Sequence, residues 1–157
     1  MTYLLDVNVL LAFAYSAQQS HLRVSRWIEH IDSDGPDDSP FASCSIVELG
    51  FIRVASGTAR LAENLTVARA DLRRVKSILR LRMLGDELDD ELDGNHLPEW
   101  VTKAGQTTDG HLLELATCYN AKFATLDSRI PGALLIPEYF GNPDEVREPH
   151  VAYGAAA

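Results

Sequence analysis

A chain of 157 residues with 46 % hydrophobic content fits a single domain with ample core material. Its formal charge of −9 excludes the indiscriminate polyanion binding of a uniformly basic surface. Two cysteines, Cys44 and Cys118, neither in a CxxC pair, exclude a disulfide framework and a zinc signature. With no basic n-region at the N-terminus and no apolar run near the roughly 18 residues of a membrane span, the expectation is a cytoplasmic protein without membrane contact.

In chain order, "TYLLDV" reads as a short buried strand and "NVLLAFAYS" as a helix or turn leaving it. In "HLRVSRWIEHIDS", Val24, Trp27, Ile28 and Ile31 recur at the spacing of an amphipathic helix. "DGPDDSP" is dense in breakers and marks a loop. "FASC" follows as a strand, and "SIVELGFIRVAS" as a helix closed by Gly57. A helix is predicted from Leu65 through about Met83, with Leu72, Val75 and Leu79 on its apolar face. Residues 85–98, broken by Gly94 and Pro98, read as loop or frayed helix. "DGHLLELATCYNA" is helical, with Leu112, Leu115, Ala116 and Tyr119 predicted inward. "KFATLD" and "GALLIP" read as the last strands. Residues 1–140 form the expected domain, and 141–157 a polar, Ala-ended tail. Alternating short strands and helices indicate an α/β fold with a parallel sheet. In such sheets ligands gather outside the carboxyl ends of the strands, where Asp6 and Asp127 fall.

Four carboxylates stand out, each with a structural alternative. Asp6 could cap the following helix. Glu48 could close a capping box with Ser45. Asp109 could be an N-cap or first-turn acid matching the helix dipole. Asp127, in "TLDSRIPG", could be a turn residue. Together, however, two strand-end acids and two helix-start acids can share one edge of the sheet. Crowded carboxylates repel, and a divalent cation removes that cost. Oxygen donors without a His or Cys cluster favour a hard ion, Mg²⁺ with Mn²⁺ as substitute. An acidic edge plus a hard metal suits hydrolysis of a phosphodiester by activated water.

"LLDVNVLLAF", "SIVELGFIRV", "TTDGHLLELA" and "FATLDSRIPG" resemble, in order and spacing, the motifs of PIN-domain ribonucleases, and most closely the VapC toxins of bacterial toxin–antitoxin modules. The resemblance spans roughly residues 2–137. It implies a three-layer α/β/α sandwich, a metal site formed by Asp6, Glu48, Asp109 and Asp127, and supporting roles for Asn8 and Thr125. It further implies an RNA substrate, a homodimer and an antitoxin whose C-terminal segment wraps the toxin. Two alternatives remain: a PIN domain that processes RNA in housekeeping without an antitoxin, and a receiver-like phosphoacceptor module. The second wants adjacent acids at the first strand end, where this chain has Asp6 followed by Val7 and Asn8.

Charge is unevenly spread. "RADLRRVKSILRLR" (69–82) holds six of the 14 basic residues and "DELDDELD" (86–93) six of the 23 acidic ones. Arg69, Arg73, Lys76 and Arg80 share a helical face that could guide an RNA backbone; pairing with nearby acids or a second subunit is the alternative. Arg129 could contact phosphate or form an ion pair. Trp27 and Trp100 read as core or dimer anchors, and His111, two residues after Asp109, as pointing elsewhere.

Overall fold

The structure, a computed structural model, describes residues 1–32, 39–86, 88 and 95–138. Most of the loop expected at 34–40, the acidic run apart from Asp86 and Leu88, and the tail 141–157 lie outside the described residues.

The first strand, β1 (Thr2–Leu5), is apolar because it is flanked on both sides: Tyr3 pairs with Phe41 and Lys122, and Leu4 with Ala42 and Phe123. Helix α1 (Val7–Ala14) starts immediately, with Asp6 as its N-cap. Helix α2 (His21–Asp32) buries Val24, Trp27 and Ile28 as the periodicity predicts. Strand β2 (Phe41–Cys44) is buried throughout and runs straight into α3 (Ser45–Ser56). Helix α4 (Leu65–Leu79) is capped by the Asn64 side chain on the Val67 N–H, and buries Ala68, Leu72, Val75 and Leu79.

One boundary differs from the sequence prediction. The helix expected to reach Met83 stops at Leu79, because Arg80 turns into the left-handed region (φ 50°, ψ 45°). The Leu81 N–H then bonds back to the Lys76 carbonyl, and Arg82–Leu84 becomes strand β3, parallel to β2. Three residues are too few to stand out as a strand, and Met83, four residues after Leu79, fits the helical spacing by chance. Helix α5 (Thr107–Cys118) follows a one-turn 3-10 helix at Ala104–Gln106, and strands β4 (Ala121–Thr125) and β5 (Leu134–Leu135) complete the sheet. Leu112, Leu115 and Ala116 are buried as expected; Tyr119 instead caps α5 and is exposed, its hydroxyl accepting from the Gly85 N–H.

The sheet is parallel with order β3-β2-β1-β4-β5. The chain moves outward from β1 to β3, then returns to the other side of β1 for β4 and β5. Right-handed crossovers place the helices of the two legs on opposite faces. Packing agrees: α1 packs against α2, α3 and α4, whereas α5 packs against β4. The result is the expected three-layer α/β/α arrangement. A receiver-like sheet would have the order 2-1-3-4-5, so that alternative fails on topology. No helix among the described residues is long and apolar enough to cross a membrane.

Candidate active site

Strand order reverses between β1 and β4, and a parallel sheet opens its ligand crevice at such a switch point, outside the carboxyl ends of the strands. Asp6 leaves β1 there and Thr125 ends β4 beside it. The Asp6 carboxylate is almost buried and tightly held. Its Oδ1 accepts from the Val7 N–H (2.6 Å), and its Oδ2 from Asn8 Nδ2 (2.7 Å) and the Thr125 hydroxyl (2.6 Å). The capping role and the site role are thus the same contact set: the carboxylate caps α1 and ties α1 to β4.

Asn8 and Thr125 extend this network. Asn8 Nδ2 also donates to Thr125 Oγ1 (3.1 Å), and Asn8 Oδ1 accepts from the Leu126 N–H (3.1 Å). Thr125, fully buried, accepts from the Asp127 N–H (3.0 Å), fixing the turn that presents Asp127. The polar residues inside the apolar opening stretch are therefore a latch between the two strands at the switch point.

Asp109 lies in the first turn of α5, whose N-cap is Gln106, so the N-cap reading of Asp109 does not hold. Burial raises its carboxyl above the ordinary range, and Asp127 raises it further, against a lowering by Arg129. Burial likewise raises Asp6, against hydrogen bonds from Thr125 and Val7, and Asp109 adds to the rise. Asp127 is pulled the other way by Arg129, whose guanidinium grips both carboxylate oxygens (2.9 and 2.7 Å). Asp6, Asp109 and Asp127 thus feel one another electrostatically in sequence across the crevice.

Glu48 has its own partners within the chain. It is not part of a capping box: α3 has Cys44 as N-cap, with no side-chain capping bond. Its Oε1 accepts from the buried Ser43 hydroxyl (2.6 Å), and Lys76 of α4 bridges both oxygens (2.7 and 2.8 Å). Lys76, from the basic helix, thus neutralises Glu48. No group of three or more His, Cys, Asp or Glu side chains among the described residues stands close enough together to hold a metal ion. Of the four acids, Asp109 and Asp127 line one cleft, Asp6 is tied to the turn of Asp127 through Thr125, and Glu48 is paired with Lys76.

Sequence reasoning missed several neighbours. Arg80 pairs with Asp32 and Lys76 with Glu48, so two members of the basic face are engaged within the chain. His111 is buried with Nδ1 3.0 Å from His96 Nε2. Ser43, hidden inside an apolar strand in sequence, is the partner of Glu48. A cleft of about 420 Å³ lies against Asp109 and Asp127, with Trp100, Lys103 and Arg129 on its walls. Only the scarcity of tryptophan could have drawn attention to Trp100.

A parallel α/β/α domain with acids at its switch point defines a class of hydrolytic and phosphate-handling proteins, and relatives narrow it. No protein-family model matches the sequence. Ribonuclease VapC38 of Mycobacterium tuberculosis is 32 % identical over 131 residues, 81 % of this chain and 86 % of that protein. Ribonuclease VapC44 of the same species is 34 % identical over 140 residues, 85 % of this chain and 94 % of that protein. Ribonuclease VapC39 is 28 % identical over 132 residues, 83 % of this chain and 91 % of its own length. The crystal structure of VapBC2 from Rickettsia felis bound to a DNA fragment from their promoter superposes with a TM-score of 0.59 at 18 % identity, covering 85 % of this chain and 96 % of that one. The chain belongs to the VapC family of PIN-domain ribonucleases.

Proposed function

We propose that the chain is a divalent-metal-dependent endoribonuclease acting as the toxin of a toxin–antitoxin pair, with Asp6, Asp109 and Asp127 as its acidic centre. The observation that supports this reading is the Asp6 carboxylate held at the switch point by Thr125 and Asn8, with Asp109 and Asp127 lining one cleft. Family membership supplies the substrate class, RNA, and the VapBC complex among its structural neighbours supports an antitoxin partner. A homodimer in a reducing cytoplasm completes the proposal.

The donor chemistry fits a hard cation, since the donors are carboxylate oxygens. The open spacing is compatible with Mg²⁺, which keeps several waters and needs only one or two carboxylates. Asp6, Asp109 and Asp127 would hold it, with Glu48 reaching the site only on leaving Lys76. When bound, the ion supplies charge neutralisation and an acidified water for attack on phosphorus.

The chain's own residues prepare the site. Thr125 and Asn8 hold Asp6 in one rotamer, so its carboxylate needs no reorganisation. Arg129 holds the Asp127 carboxyl below its ordinary range and Lys76 pairs with Glu48, and both cations are placed to exchange a carboxylate partner for a substrate phosphate. Hydrolysis by water leaves 5′-phosphate and 3′-hydroxyl ends.

Incubating a mixed RNA pool with Mg²⁺, Mn²⁺ or EDTA tests the proposal. Cleavage is expected with either metal and lost in EDTA; equal cleavage in all three would remove the metal mechanism, and 2′,3′-cyclic phosphate ends would remove water as nucleophile. Asp109→Asn should be inactive while keeping a native melt.

A further inference from the structure

The cleft beside Asp109 and Asp127 has one aromatic wall and two cations, and the acidic centre gives Trp100 and Lys103 no task. Trp100 forms the aromatic wall, Lys103 and Arg129 carry the charge, and the buried Ile130 closes the cleft. The volume, about 420 Å³, is in the range of small-molecule sites and large enough for one nucleotide.

Both the tryptophan and the lysine sit on turns that are built, not loose. The Val101 N–H bonds the Pro98 carbonyl (2.9 Å), closing a turn around Trp100. That turn presses on the start of α5 at Gly110, where a Cβ would come within 2.5 Å of Val101 Cγ2 and 3.2 Å of Pro98 Cδ. Only the missing side chain lets the turn lie this close. On the other side, the carboxamide oxygen of Gln106 accepts from the backbone N–H groups of Thr102 and Lys103, each at 3.0 Å. The segment carrying Trp100 and Lys103 is therefore clamped at both ends against the helix that carries Asp109.

We propose that this cleft is a nucleotide subsite for single-stranded RNA, in which a base stacks on Trp100 and the adjoining phosphate lies between Lys103 and Arg129. The inference rests on the ribonuclease reading of the neighbouring acids for its substrate and adds the position of the nucleotide flanking the cut. An aromatic face accepts any base, and a cation beside it fixes the backbone, the combination that single-strand binding surfaces use. The geometry also gives Arg129 two partners: Asp127 in the free protein and phosphate in the complex. An RNA strand, not a folded protein, is the occupant favoured by the pairing of an aromatic wall with cations.

The test separates binding from cleavage. Affinity for a fluorescein-labelled mixed-sequence 10-nucleotide RNA, and for the same strand made of abasic ribose-phosphate units, is measured by anisotropy in EDTA. Cleavage of the labelled RNA is measured separately with Mg²⁺, giving KM and kcat. Trp100→Ala is expected to weaken binding and raise KM by about 5- to 150-fold, the usual range for one lost base stack, with a smaller change in kcat. Trp100→Phe should restore most of the loss. Lys103→Ala should flatten the log–log salt dependence of binding by about 0.7, one single-strand phosphate contact. The abasic strand should bind the wild type about 5- to 150-fold more weakly than the normal strand does, a comparison that stands even if Trp100→Ala folds poorly. Equal binding of abasic and normal strands, or an unchanged KM in a folded Trp100→Ala, would overturn the subsite. Absence of cleavage by the wild type with intact, Trp100-dependent binding would instead sink the ribonuclease reading and leave the subsite standing. Loss of binding to a partner protein, with RNA affinity unchanged, would assign the cleft to that protein and refute the proposal.

Discussion

Replacing Thr125 by valine removes one hydroxyl and keeps the shape of a fully buried side chain. That hydroxyl donates to Asp6 Oδ2 at 2.6 Å and accepts from Asn8 Nδ2 at 3.1 Å and the Asp127 N–H at 3.0 Å. A hydrogen bond to a charged group contributes roughly 1.5–3 kcal/mol, and each stranded donor adds about 1 kcal/mol unless water reaches it. The net cost should be about 2–4 kcal/mol after the gain from burying an extra methyl. For a chain of this length that is a fall in Tm of roughly 5–15 °C. Thr125→Ser keeps the hydroxyl and should cost only about 1 kcal/mol for the lost methyl.

The pH dependence supplies a second check. Asp6 is an acid whose folded pKa lies above its unfolded value of 3.8, so its contribution is fully present below that value and is lost as pH rises through the folded pKa. Thr125 lowers that folded pKa, and removing it pushes the carboxyl higher still. The deficit of Thr125→Val should therefore widen as pH rises above the unfolded value of 3.8 and narrow in acid. Urea unfolding across that range measures it. A valine variant within about 0.5 kcal/mol of the serine variant at neutral pH, or a deficit that ignores pH, would refute the latch assigned to Asp6, Asn8 and Thr125.

Asp109→Asn should leave the metal-free fold as stable or more stable at neutral pH. Burial and Asp127 hold the wild-type carboxyl high, so the gain should fade below the unfolded value of 3.8, as thermal melts at several pH values would show. The half-buried pair of Glu48 and Lys76 should give a coupling of about 1–2 kcal/mol in a double-mutant cycle using Glu48→Gln and Lys76→Met. A coupling indistinguishable from zero would mean that Lys76 does not hold Glu48 in solution. Gly110→Ala should cost about 1–3 kcal/mol by overpacking and also slow RNA cleavage, because the added methyl collides with the turn that carries Trp100. Unchanged stability would show that the turn does not lie on α5 as described.

The local pattern of apolar residues carried most of the architecture. Period-2 and period-3.6 spacing, with breakers between, placed α2, α3, α4 and α5 and the strands β1, β2 and β4, because burial of one face is written into consecutive residues. It also placed Asp6, Asn8, Asp109, Thr125 and Asp127 at the ends of elements, and a parallel sheet brings strand ends to one edge. Partnership was not legible. Nothing in residues 43, 48 and 76 says that a serine inside a strand and a lysine 28 positions further on would claim Glu48, since that depends on how α3 and α4 pack. The end of α4 was equally hidden, because Arg80 adopts a left-handed conformation that arginine does not announce, and β3 exists only through its pairing with β2. Trp100 does pack against the core, as its sequence reading as an anchor expects, but its place beside Asp109 and Asp127 showed only in the fold. Identity and order along the chain decide which groups are available, whereas distances between groups far apart in sequence are set only when the layers close on the sheet.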